Sequence, residues 1–201
     1  MSNNYMKIRR LITFFLLLNL NICNVHSIQP DVFVQSTVNR ASDILSQNIS
    51  KEEKINGLKI IAKETVDIDA VGFYSLGQKR KELDNNQKKI YLDLFESYFL
   101  KSFSSRLSEY TNPKIEVQGK KILNKNYTMV NSLLIATSER PEVKIDWRIY
   151  TKNPDGPLIR DLIIEGLSLA RTQKEEFASI LNSNNNDINV LFKTLKEFSK
   201  K

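Results

Sequence analysis

The chain has 201 residues, 30 basic against 23 acidic side chains, and a formal charge of +7 at neutral pH, with one Cys, one His and one Trp. That length suits one domain with a sizeable core. No GxGxxG, P-loop or GxSxG pattern occurs, which removes the common nucleotide-binding and hydrolase signatures.

The first residues read as a leader rather than as fold. Lys7, Arg9 and Arg10 precede an apolar run, Leu11 to Leu20, broken only by Thr13 and Asn19. Val25-His26-Ser27 then places a small residue before Ile28, the order of a secretory signal peptide. The run is about half as long as a bilayer-crossing helix requires. Asn21 and Ile22 are poor neighbours for lipid attachment at Cys23. The expectation is a signal peptide over 1–27 and one domain over 28–201, delivered to a bacterial periplasm. Removing the leader takes away three basic residues, the only Cys and the only His, and leaves 174 residues with a charge of +4. No Cys-His or Ser-His nucleophile and no ordinary zinc site can then be built. The carboxylates are scattered among lysines without metal-loop spacing. The chain reads as a non-enzyme without a cofactor.

In chain order, Pro30-Asp31 opens a helix whose apolar face is Val34, Val38, Ala41 and Leu45. Ser50 and Glu53 form a capping-box pattern, followed by a second helix burying Ile55, Leu58, Ala62 and Thr65. Val66 to Arg80 reads as a short helix ending near Gly77. Asp84 caps a long helix with an aromatic stripe of Tyr91, Leu94, Phe95, Tyr98, Phe99, Phe103, Leu107 and Tyr110. Asn112-Pro113 stops it, and the period then changes from 3.6 to 2. Ile115 and Val117 lie on one strand, and Tyr127 to Thr137 forms a second. Val143, Ile145, Trp147 and Ile149 alternate with polar residues on a third. Asn153-Pro154-Asp155-Gly156 turns the chain into a fourth, Leu158 to Glu165, and Gly166 ends the sheet. A helix around Gln173 to Leu181 and a last one after Asp187 complete an α+β fold. Its curved antiparallel sheet of about four strands is covered by helices before and after it, with an apolar cavity between.

Two blocks resemble a known family. Val66-Asp67-Ile68, Leu76-Gly77 and the stripe from Gln87 to Tyr110 are similar to the middle helices of the Mla-pathway periplasmic phospholipid-binding family (MlaC, the toluene-tolerance auxiliary component). Asp161-Leu162-Ile163-Ile164-Glu165-Gly166-Leu167-Ser168-Leu169, followed by Glu176 to Leu181, resembles that family's strand-to-helix signature. The likeness runs over essentially the whole exported chain. It departs at Pro157-Leu158, where the family usually has an aromatic, and at Lys174, where it often has Arg. The resemblance implies a monomeric carrier that takes a phospholipid between an outer-membrane lipoprotein complex and an inner-membrane ABC transporter with a membrane-anchored lipid-binding subunit. The implied role is in outer-membrane lipid asymmetry, with no nucleic-acid partner.

Such a carrier must replace bilayer contacts with protein ones. Burying a methylene is worth about 0.8 kcal/mol, so two acyl chains represent on the order of 20 kcal/mol, far beyond a few headgroup hydrogen bonds at about 1–3 kcal/mol each. The candidate wall combines apolar positions from several elements: Phe73, Leu94, Tyr98, Phe99, Val117, Leu133, Ile145, Trp147 and Ile163. A one-residue error in strand facing would move any strand's contribution to the other side. Two alternatives share the sequence pattern. One is a carrier of another lipid, such as a hopanoid, and the other is a periplasmic adaptor with a filled core.

Overall fold

The structure is a computed structural model that describes residues 27–200. Apart from Ser27, the expected signal peptide lies outside the described residues. Six helices and five strands follow in the order α1 (Pro30–Ser46), α2 (Lys51–Thr65), α3 (Ile68–Ser75), α4 (Asn85–Leu107), β1 (Ile115–Asn124), β2 (Tyr127–Leu134), β3 (Val143–Tyr150), β4 (Leu158–Ile164), β5 (Leu167–Ser168), α5 (Leu169–Asn182) and α6 (Ile188–Lys200). The fold is α+β.

Local chemistry sets most of the helix starts. Pro30 occupies the first turn of α1, where its missing N–H costs nothing. Ser50 and Glu53 cap α2 reciprocally, and Asp84 and Gln87 do the same for α4. The short helix α3 ends at Ser75, two residues earlier than expected. Gly77, at φ +57°, starts a 3-10 turn over Gly77–Lys81. Tyr110 lies beyond the end of α4 and is exposed.

The strands form one antiparallel meander in the order β1-β2-β3-β4-β5. Its fifth strand is an addition to the expected four. Gly166 does not end the sheet: Glu165 and Gly166 both take positive φ, 49° and 83°, the geometry of a tight hairpin turn. The turn pairs Ile164 with Leu167 and Ile163 with Ser168. The helix expected around Gln173 begins at Leu169 instead. The reason is a distant acceptor: Asp161 on β4 takes the N–H of Ala170 at 3.0 Å, and Ser168 takes that of Arg171 at 3.1 Å. A cap supplied from another element is invisible to local periodicity.

Two apolar clusters result. One lies among the helices and contains Ala62, Val71, Tyr91, Phe95, Leu100, Phe177, Leu181, Leu191 and Leu195. The other sits between α1 and the sheet and contains Val34, Val38, Val130, Leu134, Ile145, Trp147, Ile149 and Ile159. Val66 packs against both, and it bridges to Ile159 on the free edge of β4.

Candidate functional site

Strand register assigns the sheet two chemically different faces. Val130 opposes Trp147, and Ser132 opposes Ile145; Leu162 opposes Trp147 from β4. These residues share the side facing α1. Asn131 with Asp146, Leu133 with Lys144, and Ile163 with Asp146 occupy the reverse side.

The α1 side is held from two directions. Along β1, the Gln35 side chain accepts from the Val117 N–H at 3.0 Å and donates to the Ile115 carbonyl at 3.1 Å. Ser42 donates to the Pro113 carbonyl at 2.7 Å. Helix α1 therefore lies across β1 and β2, while α3 and α5 meet the sheet at β4. Strand β3 runs between these two attachments. At its middle Trp147 donates its indole N–H to Ser132 Oγ at 2.8 Å, and Ser132 donates to the Ile145 carbonyl at 3.0 Å. The indole is thus satisfied without water. Trp147 nevertheless keeps 8% of its surface accessible, whereas Ile149 on the same strand and face keeps none. Trp147 belongs to the α1-side cluster, and Val66 is where that cluster meets the helical one.

On the reverse side a β-bulge fastens the helical unit to the sheet. Arg148 opposes Asp161, whereas Ile149 opposes Ile159, so Arg160 is the additional residue. Arg160 donates from Nε and Nη2 to Asp67 Oδ2 at 2.9 and 2.7 Å, and from Nη1 to the Tyr127 hydroxyl at 2.7 Å. Its guanidinium lies 3.6 Å from the centroid of Tyr150, a stacked cation–π contact. Buried Asp161 binds the start of α5 and approaches Arg148 at 3.6 Å. Asp67 caps α3 by accepting from Ala70 at 3.2 Å. The starts of α3 and α5 are therefore both pinned to one bulge.

The nine expected wall residues fall into three groups. Val117, Ile145 and Trp147 lie on the α1 side of the sheet. Phe73, Leu94, Tyr98 and Phe99 pack against the helical cluster, where Tyr98 also donates to Gln173 at 2.8 Å. Leu133 and Ile163 are on the reverse side. There they line an open cleft of about 400 Å³ with Gln118, Asn131, Lys144, Asp146 and Glu165. The structure therefore brings together the first group and, separately, the second, with Val66 where the clusters meet. Leu133 and Ile163 are separated from both by the thickness of the sheet. Leu162, half-buried beside Trp147, belongs with the first group, and its parity with Leu158 to Ile164 was hidden by the bulge at Arg160.

Among the described residues, no cluster of three or more His, Cys, Asp or Glu side chains is arranged to hold a metal ion. No described helix is long and apolar enough to cross a membrane.

These features define a class: an α+β protein whose sheet is roofed by a single helix on one side and abutted by a helical bundle, with its apolar interior in two clusters. The family model described as MlaC protein matches residues 35–197, and the chain belongs to the MlaC family. Among solved structures, it is similar to a phospholipid-binding protein from Ralstonia solanacearum in complex with a phospholipid. The TM-score is 0.72 at 17% identity, covering 86% of this chain and 98% of that one. No curated protein matches the sequence.

Proposed function

We propose that the two apolar clusters part along a seam over β3, that a phospholipid is bound there by its acyl chains, and that the protein carries it through the periplasm between membrane-bound Mla complexes. The observation that carries this reading is the separation of the apolar interior into two clusters, with Val66 packed against both. Family membership and the lipid-bound Ralstonia relative support it.

In this reading the wall of the site is Val117, Ile145, Trp147 and Leu162 from the sheet, which Phe73, Leu94, Tyr98 and Phe99 from the separate helical cluster join when the seam takes up lipid. Leu133 and Ile163 stand outside it. The reverse-face cleft, at about 400 Å³, is less than half of the roughly 1000 Å³ suited to a ligand with two long chains, and its lining is charged. Acyl chains therefore enter where apolar surface can part from apolar surface. The bulge at Arg160–Asp161 ties the helical unit to the reverse side of the sheet, so the seam opens on the α1 side with that bulge as its pivot. Contacts between the clusters are exchanged for contacts with methylenes, each worth about 0.8 kcal/mol, so loading and release change little in net free energy. That balance suits a carrier that must give its cargo up.

No turnover is part of this function. After export in a bacterium and purification from its periplasm, organic extraction and mass spectrometry should recover close to one diacyl phospholipid per chain. A polycyclic lipid would replace the cargo assignment. Protein free of lipid under mild purification, and unable to take it up from vesicles, would overturn the proposal in favour of an adaptor.

A further inference from the structure

One end of the molecule has a composition that neither the seam nor the bulge explains. The β1–β2 hairpin closes through Lys125 and Asn126, with Asn124 opposite Tyr127. Just before the turn stand Ile122 and Leu123, 75% and 43% exposed. Other segments meet this tip. Thr151 donates its N–H to the Asn126 carbonyl at 2.8 Å, bringing the β3–β4 turn alongside. Ile28 donates to the Pro154 carbonyl of that turn at 3.0 Å. Lys120 Nζ binds Gln29 Oε1 and Asp31 Oδ1, both at 2.7 Å, which fixes the start of α1 against β1. The exposed aliphatics Ile28, Val32, Ile122 and Leu123 thereby gather at a single end.

Charge at this end is mainly positive. Lys120 is neutralised by Asp31. Lys121, Lys125 and Lys152 meet no carboxylate within ion-pair distance among the described residues. Asp155 in the β3–β4 turn is the opposing charge. Lysines on an edge strand ordinarily deter strand-to-strand association, but that role does not account for adjacent exposed aliphatics at the tip. Aliphatic side chains at the apex of a hairpin, ringed by ammonium groups, match the interface of an anionic bilayer. Apolar groups reach the acyl boundary there while cations stay among the phosphates.

We infer that this end docks on anionic phospholipid membranes, with Ile122 and Leu123 entering the headgroup layer and Lys121, Lys125 and Lys152 meeting lipid phosphates. The site is separate from the seam, and the inference does not depend on what the seam holds. Docking would present the carrier to the membrane in a fixed orientation, with the start of α1 and the hairpin towards the lipid.

Vesicle co-sedimentation of the exported protein tests this. The vesicles are phosphatidylcholine alone, or phosphatidylcholine with a quarter phosphatidylglycerol. Binding should appear on the anionic vesicles and weaken as salt rises. Ile122→Ser with Leu123→Ser should lower the affinity by at least about tenfold. Each of Lys121→Gln, Lys125→Gln and Lys152→Gln should cost about fivefold at low salt. The pair Lys88→Gln and Lys89→Gln, away from this end, should change little. A Leu123→Trp reporter should shift its emission to the blue only with anionic vesicles. Equal binding by the Ile122/Leu123 variant would overturn the inference, as would an unshifted reporter. Capture by poly-glutamate with the same dependence on Ile122 and Leu123 would overturn it too, by identifying an acidic protein surface as the partner. Lipid content measured on the same preparations reports the seam independently.

Discussion

In the helical cluster, Phe95 is enclosed by other rings: Tyr91, Tyr98, Phe99 and Phe177 lie at centroid distances of 5.7 to 6.2 Å. Gly72 approaches so closely that a Cβ there would stand 2.8 Å from the Phe95 ring. The Tyr91 hydroxyl donates to the Gly72 carbonyl at 2.9 Å, and burial, with Tyr98 nearby, pushes its pKa far upward and keeps it protonated. The α1 side of the sheet is organised differently. It is mostly aliphatic and roofed by one helix, held by Gln35 to β1 and by Ser42 to Pro113 just before it, while the bulge on β4 fastens the helical unit from the reverse side. The comparison shows how one chain divides its labour. Interlocked rings make a body that resists rearrangement, while an aliphatic face fastened at its edges can exchange one apolar partner for another.

The largest effect should come from the ringed body. Phe95→Ala should cost about 3–5 kcal/mol in urea unfolding. Gly72→Ala alone should cost about 1–3 kcal/mol through overpacking. Combined with Phe95→Ala it should cost less than the sum, because the added methyl enters the space vacated by the ring. Strict additivity would show that the Gly72–Phe95 contact is not what limits packing there.

Next in size are the fasteners. Asp161→Ala removes the acceptor for Ala170 N–H and Ser168 and should cost about 1–3 kcal/mol. Asp161→Asn, which keeps one acceptor, should cost less. Hydrogen exchange should then show the first turn of α5 opening while β2 and β3 stay protected. Uniform loss of protection would mean that the bulge is no local pivot.

A sharper contrast concerns the two sides of the sheet. Trp147→Lys should abolish lipid retention, or folding if the charge cannot reach water, and Phe99→Lys should behave alike. Leu133→Ser and Ile163→Ser, on the cleft side, should change stability by no more than about 0.5–1 kcal/mol and leave lipid content intact. Loss of lipid from the Leu133 or Ile163 variant in a folded protein would exchange the faces.

The smallest effect is at the start of α1, beside the β1–β2 hairpin. The hydrogen bond from Lys120 holds the Asp31 carboxyl below its ordinary value of 3.8. A depressed carboxyl stabilises the fold above the unfolded pKa, and that contribution fades as pH falls through the folded one. The Lys120–Asp31 contribution should therefore be complete above about pH 4 and lost in more acidic solution. Carbon-detected NMR titration of Asp31 should show the depression shrink in Lys120→Gln, leaving the part due to the backbone N–H groups of Asp31 and Val32.

Much of this architecture is legible in the sequence, for reasons that can be named. Ser50 with Glu53 is a local capping box and Asp84 a local cap, and both appear as read, with Gln87 returning the bond to Asp84 as an addition. The alternation in Val143 to Tyr150 assigns β3 its faces correctly because that strand has no bulge against β2. Where the chain departs from regularity, the reading falters. Leu133 is one residue out of phase with Ser132 and Leu134, which face α1, yet its apolar character invites placement beside them. The additional residue Arg160 shifts the phase of β4, so Ile163 faces the cleft and Leu162 faces the α1 side. Asp67 and Asp161 lie within the two blocks that carry the family resemblance, but their work as fasteners depends on partners 93 and 9 residues away. Contacts of that kind follow from the fold and leave no periodic trace.

Trp147 is the chain's single Trp, and it lies at the proposed contact with acyl chains. Its fluorescence should be strongly quenched when the protein is loaded with a phospholipid brominated along its chains, and left unchanged by the unbrominated lipid. Stoichiometric lipid binding without quenching would place the cargo elsewhere and contradict the seam.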